Sequence, residues 1–327
     1  MRAVLIREPG DPDVLTLGQA PAPEPGPGQV LVRVRAAGIN RGDIMQRRGK
    51  YPAPEGWPQD IPGLEYAGEV SALGAGARRW RAGDRVMGLV GGGGYAEYVA
   101  VHEDEAVAVP AGLSWEEAAA IPEAFITAHD ALFTRLALQP EERLLVHAVG
   151  SGVGTAALQL ARDAGAHVMG TSRSAWKLER AAELAPLEGV DTSTEDFVAR
   201  ALAWTGERGV DAVLELVGGD YVPRNVKALA VLGRLALVGL VAGARAELDL
   251  RAFMSRRLTL VGTVLRSRPL EQKIAAARAF AEHVEGRFED GRLRPVVDRV
   301  FAMEEAPAAH RHVEEGQNFG KVVLRWA

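Results

Sequence analysis

The chain has 327 residues, 47% apolar and 25% charged, with a formal net charge of −5. That length supports about two domains with sizeable cores, and the acidic balance gives no footing for nucleic acid or an anionic membrane surface. The absence of cysteine excludes disulfides, thiolate metal sites and a cysteine nucleophile. Met1–Ile6 is too short for the core of a signal peptide. The longest apolar region, Val226–Gly243, is interrupted by Lys227 and Arg234, so a soluble, cytoplasmic protein without a membrane partner is expected.

In chain order, Arg2–Arg7 and Val14–Leu17 read as a hairpin around a Pro/Gly/Asp turn at Glu8–Asp13. Gln29–Ala37 alternates, with Val30, Val32 and Val34 on one face and Arg33 and Arg35 on the other, as in a half-buried strand. Gly38–Asp43 leads into a short helix ending near Arg48, and Gly49–Pro62 is a proline-rich loop carrying Tyr51. Glu65–Leu73 and Arg85–Leu89 read as strands. The flexible run Gly91–Gly94 before Tyr95–Val101 is either a plain loop or a wall where backbone approaches a ligand. Ser114 with Glu117 forms a capping box that opens a helical stretch, Leu113–Leu136.

From Arg143 onward strand and helix alternate. Strands are expected at 143–149, 167–171, about 187–191, 211–217, 233–240 and 258–264. This pattern predicts an α/β fold: a doubly wound parallel sheet of the Rossmann type, beside a mainly β domain. Leu270–Arg287 reads as a helix, and Pro295–Phe301 and Lys321–Arg325 as strands that rejoin the β domain. The boundaries drawn are 1–122 with 268–327 for the β domain and 123–267 for the parallel sheet.

The segment Arg143–Thr171 is strand, glycine turn, helix, strand. Such a turn aims free backbone N–H groups and a helix dipole at one point, which suits a phosphate. A strict G-x-G-x-x-G fails at Thr155. Ala148, Ser151 and Gly154 fit the looser A-x-x-[GS]-x-x-G, with Gly152 and Val153 inside the turn. The second strand ends Thr171-Ser172-Arg173-Ser174 with Lys177 one turn on, and no acid stands there to accept from both ribose hydroxyls. Either these are a solvated helix start, or Ser172, Arg173 and Lys177 meet a 2′-phosphate and the cofactor is NADPH rather than NADH.

The order of domains resembles the medium-chain dehydrogenase/reductase superfamily. Its zinc members carry a catalytic Cys after the third strand and a Gly-His-Glu beyond; here Asn40 and Leu64 stand at those places. No two of the seven histidines are spaced i, i+4, so no catalytic zinc is expected and substrate polarisation falls to hydrogen bonds.

Asn40–Arg47 with Gly49-Lys50-Tyr51, Gly91–Val99, Ile121–Ala124 with Thr127, Ser151–Gly154, Leu265–Arg268 and Asn318–Lys321 are similar to the zinc-independent, zeta-crystallin-like quinone oxidoreductases. The resemblance implies a GroES-like β domain and places Tyr51, Asn40 and Asp43 beside the nicotinamide, at a cleft between domains. It sets Thr127 on the carboxamide, Leu240 and Ser267 at the ribose, Asn318 closing the site, and Ser172 and Lys177 on the 2′-phosphate. Thr192 stands where the family often has Tyr. From the residues alone, Asn40 and Asp43 equally serve as turn formers, and Tyr51 as a loop aromatic filling a core.

The activity implied is metal-free hydride transfer from NADPH to a quinone, with Tyr51 OH donating to the new oxyanion and Asn40 or water as second choices. Reduction of an activated C=C in a 2-alkenal or enoyl thioester, or a non-catalytic, crystallin-like NADPH-binding role, are the alternatives. The strand near Leu258–Val264 is expected at a sheet edge, paired with a second copy in a homodimer.

Overall fold

The computed structural model describes residues 1–327, which divide into two compact units: Met1–Ile126 with Leu265–Ala327, and Thr127–Val264. Glu123 and Ser267 fall in the first unit, a few residues outside the limits drawn from the sequence.

The first unit carries β1 (Arg2–Ile6), β2 (Leu15–Gln19), β3 (Gln29–Gly38), α1 (Arg41–Arg47), β4 (Glu65–Leu73), β5 (Arg85–Leu89), β6 (Tyr98–His102), β7 (Val107–Ala108) and α2 (Trp115–Ala119). Ser114 and Glu117 cap α2 reciprocally, as the sequence implies. The expected helical stretch runs on to Arg135, though in pieces of different pitch. α2 ends at Ala119, and a second run follows in which the π-helical Pro122–Ile126 and Asp130–Arg135 flank α3, Thr127–His129. Pro122 has no N–H to continue the ladder.

The second unit continues with β8 (Arg143–Val146), α4 (Gly152–Asp163), β9 (His167–Ser172), α5 (Ala175–Leu184), β10 (Glu188–Asp191), α6 (Phe197–Trp204), β11 (Val210–Glu215), α7 (Tyr221–Ala228), β12 (Leu229–Leu237), α8 (Leu250–Ser255) and β13 (Thr259–Gly262). The chain returns to the first unit with α9 (Leu270–Val284), β14 (Val297–Ala302), α10 (Ala306–Glu314) and β15 (Lys321–Arg325).

In the first unit β14-β15-β3-β4-β5-β7 form one sheet, with β6 also paired to β3. Val30, Val32 and Val34 are buried in its core while Arg33 is exposed and Arg35 pairs with Glu69 at 2.6 Å, the alternation read from sequence. The late strands rejoin this sheet: β15 lies antiparallel to β3, register Val323 to Gly38.

The second unit is a parallel sheet ordered β10-β9-β8-β11-β12-β13, with β13 at one edge. Its chain order, reversing at β8, is the doubly wound arrangement. The first strand ends at Val146 instead of 149, because Ala148 turns the chain with φ 49°.

Gly91–Gly94 is buried throughout, a correction to the flexible run expected. A Cβ on Gly91 would sit 2.4 Å from Trp57 Cδ1, and one on Gly94 2.6 Å from the Glu65 carbonyl. These glycines admit their own protein's atoms.

α1 is tied to α10 by Arg47, which is fully buried and donates to both oxygens of Glu314, at 2.7 and 3.1 Å. Removing Arg47 takes one of two cations from Glu314, which keeps Arg48 at 2.5 Å, and also empties the buried bonds to the Gly10 carbonyl and His310. Arg47→Met is expected to lower stability by about 3–5 kcal/mol, read from the urea midpoint; a midpoint equal to that of the parent would refute it.

Candidate active site

In the second unit the turn after β8 has the features of a phosphate cradle. Ser151 caps α4, its hydroxyl accepting from Gly154 N at 3.1 Å. That leaves the N–H groups of Gly152 and Val153 without a partner inside the protein. A Cβ on Gly154 would lie 2.4 Å from the Ala148 carbonyl oxygen, so only glycine lets the helix start this close to the strand. Those free donors at a helix start fit a pyrophosphate.

A buried chain of hydrogen bonds holds the strand end from below. Asn225 Nδ2 donates to Glu215, so its Oδ1 accepts from His147 Nε2 at 2.7 Å. His147 Nδ1 then accepts from Thr171 Oγ1 at 2.9 Å. Burial lowers the His147 pKa, which keeps the ring neutral and this tautomer in place. Sequence reading assigned no role to His147, Asn225 or Glu215; nothing in their spacing marks them.

At the end of β9, Ser172 is nearly buried and its hydroxyl accepts from Ser174 N at 3.1 Å. Arg173 is exposed, and the Lys177 ammonium lies 5.3 Å from the Trp176 ring centre. Thr192 donates its N–H to the Ser172 carbonyl at 2.8 Å and accepts from Tyr221 OH at 3.2 Å. The Tyr221 ring, from α7, stacks on Phe197. Leu240 is half exposed on the loop after β12. The Thr127 hydroxyl is buried with no hydrogen-bond partner, a cost of about 1–3 kcal/mol unless a ligand group meets it.

In the first unit a cluster of charges surrounds the start of α1. Lys321 Nζ, nearly buried, donates to the Ile39 carbonyl at 2.9 Å, to Asn40 Oδ1 at 2.6 Å and to Glu65 Oε1 at 2.5 Å. Asn40 Nδ2 donates to the same Glu65 oxygen at 2.9 Å, and the other Glu65 oxygen accepts from Glu123 N at 2.7 Å. Neither Glu65 nor Lys321 figured among the sequence candidates, because they pair with each other across 256 positions.

Asp43 is fully buried. One oxygen accepts from Asn40 N at 2.8 Å and from Tyr95 OH at 3.3 Å, the other from Gly63 N at 3.0 Å. Burial pushes its carboxyl up to about 6 against those bonds. With both oxygens committed, its part here is to hold the Asn40 turn and the Gly63 loop together. Behind it, Arg47 donates to His310 Nδ1 at 3.3 Å, so His310 Nε2 carries the proton toward Tyr95 Oη at 3.2 Å. Burial, reinforced by Arg47, brings the His310 pKa down to about 3, so this ring is neutral.

Tyr51 is half-buried. Its ring centre lies 4.7 Å from the Arg266 guanidinium, which also donates to the Tyr51 carbonyl at 3.1 Å and to the Gly91 carbonyl at 2.8 Å. Burial raises the Tyr51 pKa, Arg266 opposes the shift and Glu123 adds to it. Ser267 is exposed, and Asn318 Nδ2 donates to the Gly320 carbonyl at 2.8 Å. The structure therefore gathers Asn40, Asp43 and Tyr51 in the first unit, and Ala148, Ser151–Gly154 and Ser172 around one strand end in the second.

Two family descriptions match the chain: the alcohol dehydrogenase GroES-like domain over residues 26–111 and the zinc-binding dehydrogenase over 152–282. Quinone oxidoreductase of Lama guanicoe is 31% identical, covering 99% of this chain and 97% of that protein. Two polyketide synthases, from Streptomyces halstedii and Streptomyces venezuelae, are 32% and 35% identical, but the chain spans only 6% and 8% of their length. Among solved structures, Escherichia coli quinone oxidoreductase complexed with NADPH superposes with a TM-score of 0.87 at 27% identity, over 99% of this chain and 100% of that one. The CurK enoyl reductase gives 0.89 at 28% identity, over 100% and 99%. An NAD-dependent alcohol dehydrogenase gives 0.86 at 34% identity, over 99% of both chains. With its GroES-like sheet, its doubly wound sheet and these relatives, the chain belongs to the medium-chain dehydrogenase/reductase superfamily, in the zeta-crystallin-like quinone oxidoreductase branch.

Proposed function

We propose that the protein reduces quinones with NADPH and does so without a metal. The observation that carries this reading is the Lys321 ammonium, held at 2.5–2.9 Å by Glu65, Asn40 and the Ile39 carbonyl. The positive charge beside Asn40 is already supplied by the protein itself. Polarisation then rests on hydrogen bonds, which suits an acceptor that is electron-poor before it binds.

The cofactor, when bound, supplies the hydride. Gly152 and Val153 N–H, with Ala148, Ser151 and Gly154 shaping the turn, hold the pyrophosphate. Ser172, Arg173 and Lys177 hold the 2′-phosphate, consistent with a β9 end that carries no acid. Thr127 offers its unpartnered hydroxyl to the carboxamide, while Leu240, Ser267 and Asn318 border the nicotinamide end. Tyr51 OH donates to the oxygen that gains negative charge, and Asn40 and Asp43 keep its surroundings in place. The family resemblance supports a cytoplasmic homodimer paired through β13, an edge strand followed by the exposed Val264. No helix is long and apolar enough to cross a membrane. The second reading, reduction of an activated C=C, is favoured by the close superposition on the CurK enoyl reductase.

A panel of NADPH-coupled assays with a quinone, a 2-alkenal and an enoyl thioester, each with and without chelator, tests the reading. Quinone turnover that is fastest of the three and indifferent to chelator is expected; turnover lost to chelator would sink it. Arg173→Ala with Lys177→Ala is expected to weaken NADPH binding by about 10²-fold or more and leave NADH unchanged, measured by fluorescence titration. Equal losses for both cofactors would remove these residues from the 2′-phosphate. Tyr51→Phe is expected to lower kcat by about 10²-fold, and an undiminished kcat would take Tyr51 out of the donor role.

A further inference from the structure

Arg266 stands just past the point where the chain re-enters the first unit, and it is only 6% exposed. An arginine this deeply placed ordinarily faces an acid. Here no carboxylate accepts a hydrogen bond from it. Its Nε donates to the Gly91 carbonyl at 2.8 Å, Nη1 to the Tyr51 carbonyl at 3.1 Å, and Nη2 to Gln46 Oε1. All three acceptors are neutral, so no bonded anion cancels the charge. The guanidinium lies over the Tyr51 ring, 4.7 Å from its centre.

The three bonds serve one segment, the proline-rich loop Gly49–Pro62. Gln46, on α1, turns its Nε2 to the Gln59 carbonyl at 3.0 Å, and Gln59 Nε2 donates back to the Ala53 and Trp57 carbonyls at 2.9 and 3.2 Å. Arg266 thus braces the loop near its start, at Tyr51, and Gln46 braces it near its end, at Gln59. The Tyr51 ring is also seated on α1: a Cβ on Gly42 would lie 3.4 Å from its Cε1. Gly42 stands between Asn40 and Asp43 in the chain, so the ring rests against the turn that carries them. An ion pair could hold the loop as firmly, but it would cancel the charge. A cation bonded only to carbonyls and an amide holds the loop and stays positive toward the ring.

We propose that Arg266 is a positioning residue for Tyr51: it fixes the loop that carries the phenol and keeps a positive charge against the ring, which strengthens the hydroxyl as a hydrogen-bond donor to the reduced acceptor. The assignment rests on the donor role given to Tyr51 above. Negative charge builds on a phenol oxygen as it donates, and a fixed guanidinium nearby stabilises that charge without having to reorganise. Arg266 opposes the rise that burial causes in the Tyr51 pKa, the direction this role requires, while Glu123 acts in the opposite sense.

A double-mutant cycle tests the assignment, run with whichever of a quinone, a 2-alkenal and an enoyl thioester the parent reduces fastest. Arg266→Gln is expected to lower kcat by about 10-fold while the KM for NADPH stays within about twofold. In the Tyr51→Phe background the same substitution should cost no more than about twofold. Arg266→Lys, which keeps the charge and loses the fork, should restore kcat in part. In the free chain, amide hydrogen exchange over residues 49–62 is expected to quicken in Arg266→Gln, with β3 and β4 unchanged. An equal loss of kcat in both backgrounds would reduce Arg266 to a structural residue and overturn the proposal. Parental kcat in Arg266→Gln, or loop exchange that does not change, would overturn it as well. Should Arg266→Gln not fold, Arg266→Lys carries the same cycle: a loss confined to chains that retain Tyr51 is expected, and an equal loss in Tyr51→Phe refutes the role. If the fastest acceptor is not the quinone, the quinone reading fails while the cycle still decides on Arg266.

Discussion

The first unit's chemistry depends on where one ammonium group is kept. Lys321 is delivered by β15 into a ring of oxygens from Ile39, Asn40 and Glu65, and it is nearly buried there. Burying Glu65 without a cation would cost several kcal/mol. With Lys321 in place the carboxylate can fix the Asn40 amide on one side and the Glu123 backbone on the other. One ion pair thereby fixes the Asn40 amide and the Glu123 backbone, and it does so with a charge that cannot diffuse away.

The second unit solves a related problem with neutral groups. Its turn leaves the Gly152 and Val153 donors of α4 open, while Ser151 takes up that of Gly154. Rigidity comes from beneath, through Thr171, His147, Asn225 and Glu215, which link the ends of β8, β9 and β11. Glu215 also accepts from Val217 and Gly218 N–H, so the loop after β11 is tied to the same chain. The neutral His147 matters here, since a second proton on the ring would leave Thr171 facing a donor.

Much of this was legible in the sequence, for local reasons. The alternation in Gln29–Ala37, the Ser114–Glu117 box and the glycine turn after Val146 are each set by neighbours a few residues apart. The helical stretch ends within a residue of where apolar spacing puts it, but the spacing does not show the break before Pro122 or the π-helical pitch after it. Gly91–Gly94 was misjudged because a glycine run looks the same whether it faces water or fits against Trp57 and Glu65. Asn40, Asp43 and Tyr51 could be singled out only through a family pattern. Their surroundings, namely Glu65, Lys321, Arg266 and His310, are assembled from four distant stretches and carry no periodicity to detect.

That separation bears on how the protein comes into being. Glu65 and Lys321 are 256 positions apart, so during synthesis the carboxylate of β4 has no such counter-charge until that whole intervening stretch has emerged. The early strands can pair beforehand, but the core around Glu65 cannot close dry. The strand order β14-β15-β3 makes β14 and β15 a latch on the earlier-made sheet. Nascent chains that stall before β15 would therefore present an open, wet β3 edge, the kind of surface that chaperones hold and that neighbouring chains invade.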